Sequence, residues 1–284
     1  MNEFHYRLRS RVPGQRPGAH HGASLGAGQQ FAAHRRLFDQ PDPRRLDLRA
    51  SLRDVRGDWL VRIQRQRTAV PVHAVVDVSA SMHFGARKTK LEVAADFVEA
   101  LGSSAFRAGD SLGLLAFDGV EREELLMPAR HSRGLGSVMA ERLRACRPET
   151  AGPSTIHGLQ HCTARLAGRQ GLVFIVSDFH WPTDALGGVL DMLAPACVVP
   201  MIAWDPGEIE PPGTAAMLAV SDAETGVRRT LWLRDAVRLR WRDAVQSRRA
   251  ELHALFEARG MAPFHLRGRF DAEALTRHFL ETVT

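Results

Sequence analysis

Three short, oxygen-rich stretches carry the chemistry available to this chain. They are Asp77-Val78-Ser79-Ala80-Ser81-Met82, Ser154-Thr155-Ile156 and Ser177-Asp178-Phe179. Asp77, Ser79 and Ser81 are spaced by two, and in an extended loop that spacing aims all three side chains the same way. Hard divalent cations want oxygen ligands, and Mg²⁺ takes six at about 2.0–2.1 Å in a near-octahedral array. Two serines, a threonine and one or two aspartates, with waters, fill five of those places. Hydroxyls are neutral, so such a set leaves the cation electrophilic and a sixth place open to a partner's acidic side chain. That design suits metal-dependent adhesion and needs neither nucleophile nor base. A plainer use of the same residues is capping, with Ser79 and Ser81 starting one helix and Asp178 the next.

Elements that would bring these stretches together are visible in the pattern of apolar residues. Val72–Val78 is a β-branched run, followed by Leu91, Ala94, Val98, Leu101 and Ala105 at helical spacing. Ser111–Phe117, Leu172–Val176 and Cys197–Ala203 are further short apolar runs, and Met261–Leu266 completes the set. Helical stretches are expected at 132–147, at 156–167, after Pro182, through Val237, Trp241, Val245, Leu252 and Phe256, and at 272–282. Strands alternating with helices imply βαβ units and a mainly parallel, doubly wound sheet with helices on both faces. Ligands of such sheets bind beyond the carboxyl ends of the strands, near the switch in strand order. Both Asp77 and Asp178 follow such strands directly. Trp59–Arg67 alternates apolar and polar like a half-buried strand, whereas residues 1–50 show no apolar period and read as irregular.

Asp77, Ser79, Ser81, Thr155 and Asp178 together resemble the metal-ion-dependent adhesion site of von Willebrand factor A domains, DxSxS with a later Thr and a later Asp. The resemblance implies an α/β, Rossmann-type three-layer fold. It implies Asp77, Ser79 and Ser81 as ligands of Mg²⁺ (or Mn²⁺ or Ca²⁺), Thr155 as a direct or water-mediated ligand, and Asp178 as the holder of a coordinating water. Thr150, in the same loop, competes with Thr155. Upstream, Gly26-Ala27-Gly28-Gln29-Gln30-Phe31 and the run from Pro41-Asp42-Pro43-Arg44-Arg45-Leu46-Asp47 to Arg49-Ala50-Ser51-Leu52-Arg53 resemble a second signature. It is that of a group of proteins of unknown function that sit beside MoxR-type AAA+ ATPases. Leu48 stands where that pattern has Trp, and Gln40 where it has Gly. The resemblance implies a non-catalytic adaptor or chaperone-like module that works with a MoxR-type ATPase and recognises an acidic residue on a client protein.

Length and charge bound the remaining possibilities. At roughly 150 residues per domain, 284 residues allow one large or two modest domains. An arginine-rich extension over 1–68, packing on an A-like domain over 69–284, is the expected division. Residues 1–70 hold 14 Arg and 6 acids, so the positive field of a chain with net charge +6 sits at the N-terminal end. That field makes nucleic-acid association the alternative function, although aromatics for base stacking are sparse there. The Arg/Asp-rich segment 42–56 is expected to be a salt-bridged loop packed against the A-like domain. No apolar run approaches the roughly 20 residues of a membrane helix, and the three cysteines are widely separated, so a reducing, cytoplasmic setting is expected. Enzymatic readings lack their residues. Ser79 stands where an aspartyl phosphotransferase needs a second carboxylate, and no GxxxxGK[ST] or HExxH occurs.

Overall fold

The computed structural model describes residues 3–8, 16–26, 30–147, 156–212, 217–221 and 227–282. Thr150, Ser154 and Thr155 lie outside the described residues. Strands β1 (Pro17–Gly26), β2 (Gln30–Arg36) and β3 (Leu60–Thr68) form a small antiparallel sheet in the order β1-β3-β2, with the one-turn helix α1 (Leu48–Ser51) in the β2–β3 connection. The expectation of irregular chain over residues 1–50 is therefore wrong for β1 and β2. Strand β2 stays mostly exposed on both faces, so no alternation marks it, and β1 meets β3 with register shifts. Their backbone pairing with β3 makes them strands, and that pairing is non-local.

The larger sheet begins with β4 (Pro71–Asp77) and continues through α2 (Lys90–Ala108), β5 (Ser111–Phe117), the short antiparallel β6 (Met127–Arg130), α3 (Leu135–Ala145) and α4 (Ile156–Leu166). It goes on with β7 (Leu172–Ser177), α5 (Leu186–Asp191), β8 (Cys197–Trp204) and α6 (Pro206–Ile209). A two-stranded hairpin, β9 (Met217–Ser221) and β10 (Arg228–Trp232), precedes α7 (Asp235–Glu257), β11 (Phe264–Arg267) and α8 (Ala272–Thr282). Strand order is β11-β8-β7-β4-β5-β6, parallel except for β6. The chain runs outward from β4 to β5 and β6, then returns to the other flank of β4 with β7. The switch in strand order thus lies between β4 and β7.

Both faces of this sheet are covered, which is why its central strands read as mainly apolar runs. Val72, Ala74 and Val76 face a core shared with α2, α3 and α8, while Val75 faces α4, α5 and α7. Residues 3–8 contribute to the first core: the Phe4 ring packs on Phe97, Phe174 and Phe270. Buried Asp110 draws in three donors, Tyr6 Oη at 2.6 Å, His20 Nε2 at 2.7 Å and Val70 N at 2.8 Å. Helix α2 starts on a capping box, Thr89 with Glu92, and ends on left-handed Gly109. It crosses α3 where Gly102 meets Gly136: a Cβ on Gly102 would lie 2.4 Å from the Gly136 Cα.

Segment 42–56 departs in part from expectation. Its ion pairs form, Arg45 with Asp42 and Arg62 with Asp47. Its packing partner is β3 of the small sheet: Asp47 N donates to Leu60 O, and Leu60 N to Ser51 Oγ, both at 2.8 Å. The segment pairs with the strand its own hairpin supplies, a local contact that composition does not distinguish from docking on the larger domain.

Candidate site at the carboxyl edge of β4 and β7

Val76 lies beside Val176 in the parallel β4–β7 ladder, so Asp77 and Ser177-Asp178 leave the sheet side by side. Ser177 Oγ donates to Asp77 Oδ2 at 2.6 Å, and Ser79 N donates to Asp77 Oδ1 at 3.0 Å. The Ser79 and Ser81 hydroxyls are 3.2 Å apart, and Ser81 hydrogen-bonds to the Asp178 carboxylate. Four of the five residues singled out in the sequence therefore meet; the fifth, Thr155, is not among the described residues. The capping alternative does not hold for the serines. Ser79 precedes a 3-10 turn (Ala80–His83) but makes no side-chain cap bond, and Thr89 caps α2.

Two residues at this edge escaped the sequence reading. Lys90, the first residue of α2, is only 3% exposed, and its Nζ donates to Asp178 Oδ2 at 2.6 Å and to Glu208 Oε1 at 2.7 Å. Glu208, in α6, is held in turn by Trp241 of α7, whose Nε1 donates to its carbonyl at 2.7 Å. A buried lysine at the start of a helix offered one signal. Its aliphatic neighbours continue the helical stripe, so the charge would enter the interior unless it met an acid there.

Electrostatics separate the two aspartates. Burial, and then the charge of Asp178, push the Asp77 carboxyl up from 3.8 to about 7, against hydrogen bonds from Ser177 and Ser79 that pull it down. Burial also works against ionised Asp178, but the Lys90 charge, His180 and hydrogen bonds from Lys90 and Ser81 outweigh it and hold that carboxyl below its usual range. One ammonium thus serves buried Asp178 and the partly exposed Glu208. The next residue, Phe179, adopts φ +53°, a left-handed conformation rare for an aromatic residue. Its fully buried ring is clamped by Trp181 and Phe256. That turn bends the chain directly after Asp178, whose Oδ1 also accepts from His180 N and whose carbonyl accepts from Trp204 Nε1.

The donors gathered here are all oxygens, carboxylates and hydroxyls, which suits Mg²⁺, Mn²⁺ or Ca²⁺ and not a thiolate- or imidazole-seeking metal. Among the described residues, no three His, Cys, Asp or Glu side chains gather as a metal cluster. His157 and His161, an i,i+4 pair on α4, are both exposed. A divalent cation would offset the burial and the Asp178 charge that hold the Asp77 carboxyl up, so the residues present fit such an ion.

The doubly wound sheet, with its switch between β4 and β7, has the Rossmann-type architecture of a von Willebrand factor A-like α/β domain. The chain belongs to the family described as "Protein of unknown function DUF58", whose profile matches residues 39–251. It is similar to uncharacterized protein Rv1480 of Mycobacterium tuberculosis, 27% identical over 252 residues, spanning 86% of this chain and 76% of that protein. Among solved structures it is similar to an aerotolerance-related membrane protein from Bacteroides fragilis (13% identity, TM-score 0.46, 76% of this chain and 98% of that one). BatB from Bacteroides thetaiotaomicron is another (12% identity, TM-score 0.41, 75% and 98%).

Proposed function

We propose that this protein is a non-catalytic interaction module that uses a divalent cation, Mg²⁺ foremost, to recognise an acidic residue on a partner. Asp77, Ser79 and Ser81 would hold the ion, with Thr155 and Asp178 completing the set. A bound Mg²⁺ supplies an electrophilic centre for a partner's carboxylate. The observation that carries the reading is the buried Asp77–Asp178 pair among serine hydroxyls, with the Asp77 carboxyl lifted to about 7 by burial and by the neighbouring Asp178 charge. The Gly26–Arg53 signature supports the wider role of an adaptor for a MoxR-type AAA+ ATPase acting on a client complex, in the cytoplasm.

Lys90 favours a second reading, in which its ammonium is the resident counter-ion and the edge is purely structural. Thermal unfolding in Mg²⁺ and in EDTA separates the two. The metal reading expects Mg²⁺ to raise the midpoint of the wild type and Asp77→Ala to abolish the rise, while equal melting leaves the structural reading standing. A pulldown with the MoxR-type ATPase in Mg²⁺ and in EDTA then tests the partner.

A further inference from the structure

The three most exposed large apolar side chains among the described residues, Val55 (101%), Phe38 (95%) and Leu52 (83%), all lie in the connection between β2 and β3. Leu48 and Trp59, each more than half exposed, come from the same connection. All five belong to the connection at the end of the small sheet where β2 stops and β3 starts, and it precedes the carboxyl edge of β4 and β7 in the chain.

The connection is built, not slack. Leu37 N donates to Trp59 O at 2.7 Å, and Asp47 caps α1 through Ala50 N at 3.1 Å. Ser51 Oγ donates to Asp47 O at 2.8 Å. A framework this well bonded could turn its apolar residues inward, yet it displays them. Side chains exposed to this degree are prongs; a residue lining a groove would be partly covered.

Charge in the connection is sorted in the same way. Its aspartates are mostly occupied. Asp42 pairs with Arg45, Asp47 with Arg62 and His34, and Asp58 with Arg36, while Asp54 accepts from the backbone of Arg56 and Asp58. Arg44, Arg49, Arg53 and Arg56 are exposed and have no ion pair among the described residues; of the acids in the stretch, Asp39 and Asp54 have none either, and Asp54 is held by backbone donors. Apolar prongs between free guanidinium groups match a bilayer interface, where side chains enter the acyl boundary and arginines meet phosphates. A protein partner would have to supply a socket for each prong.

We propose that the outer end of the β2–β3 hairpin is a docking surface for anionic phospholipid membranes. Residues Phe38, Leu52 and Val55 insert, and Arg44, Arg49, Arg53 and Arg56 contact lipid phosphates. This surface is independent of any cation at Asp77.

Flotation of the full chain with phosphatidylcholine vesicles, with and without phosphatidylglycerol, tests it. Retention is expected on the anionic vesicles and should fall with salt. Each arginine near an anionic surface is worth roughly five-fold in partitioning, so Arg49→Gln with Arg53→Gln should cost about 25-fold. The decisive variant is the triple Phe38→Ser, Leu52→Ser, Val55→Ser. It leaves the net charge at +6, and it should lose about ten-fold or more. The substituted side chains are exposed, so the variant's melting point should stay near that of the wild type. Equal retention by both kinds of vesicle overturns the proposal. So does a triple variant that binds like the wild type, which would mean diffuse charge attraction. Absence of vesicle binding overturns it too, and leaves an acidic protein surface as the occupant.

Discussion

Replacing Lys90 by methionine keeps the length of the side chain and removes its charge. In the wild type the ammonium is 3% exposed and touches Asp178, itself 1% exposed, at 2.6 Å. Breaking a buried ion pair on one side leaves the other charge uncompensated, at a cost of about 3–5 kcal/mol. The second partner, Glu208, is 23% exposed and can turn to water, so it adds little. For a chain of this size such a loss lowers the melting midpoint by about 6–20 °C. Urea unfolding at pH 8 in EDTA, followed by far-ultraviolet circular dichroism, measures it. Adding Asp178→Asn to Lys90→Met removes the stranded anion, and the double variant should recover much of the loss. Added Mg²⁺ should also recover part of the loss in Lys90→Met, provided that the edge holds a cation. If Lys90→Met in EDTA were as stable as the wild type, Lys90 would not be the counter-ion of a buried carboxylate, and the charge argument built on it would fail.

Four further outcomes are expected. With its carboxyl raised from 3.8 to about 7, Asp77 favours the folded state fully below pH 4, and that contribution is lost as pH rises towards 7. Metal-free wild type should therefore lose of order 4 kcal/mol relative to Asp77→Asn between pH 4 and pH 8. The comparison must be a difference, because half-buried His73 and His265, both pushed down to about 4, make stability rise over the same range; a pH-independent difference would count against a strained Asp77. Gly102→Ala should destabilise by about 1–3 kcal/mol, since the new methyl group meets Gly136 backbone and the two helices must part; a neutral result in urea unfolding would show a looser crossing. Phe4→Ala should cost about 3–5 kcal/mol, as for any buried phenylalanine, and an unchanged midpoint would mean that residues 3–8 are not part of the core. Asp110→Ala strands Tyr6 Oη, His20 Nε2 and Val70 N together, and hydrogen exchange should then accelerate at Val70; unchanged exchange would show that the network is dispensable.

The larger sheet was legible because its strands are buried on both faces. Val72–Val76, interrupted only by His73, and Leu172–Val176 read as apolar runs, and the stripe Leu91, Ala94, Val98, Leu101 and Ala105 matches α2 closely. Helix α8 was expected at the residues where it is found. Strands β1 and β2 were not legible: one face of a strand must be buried for a period of two to appear, and β2 buries little. The same limit hid the role of the β2–β3 connection, whose arginines and aspartates sort into partnered and free groups only once distances are known.

Asp77, Ser79, Ser81 and Asp178 could be singled out from the sequence alone, because position after an apolar strand and a spacing of two are local properties. Their convergence, and the separate electrostatic fates of the two aspartates, belong to the tertiary structure. A carboxyl's protonation depends on how much water and which charges surround it in space. Here Lys90, from the start of α2, reaches Asp178 across 88 residues of sequence and Glu208, from beyond β8, across 118. No run of neighbouring residues encodes a charge balance assembled from three separate turns.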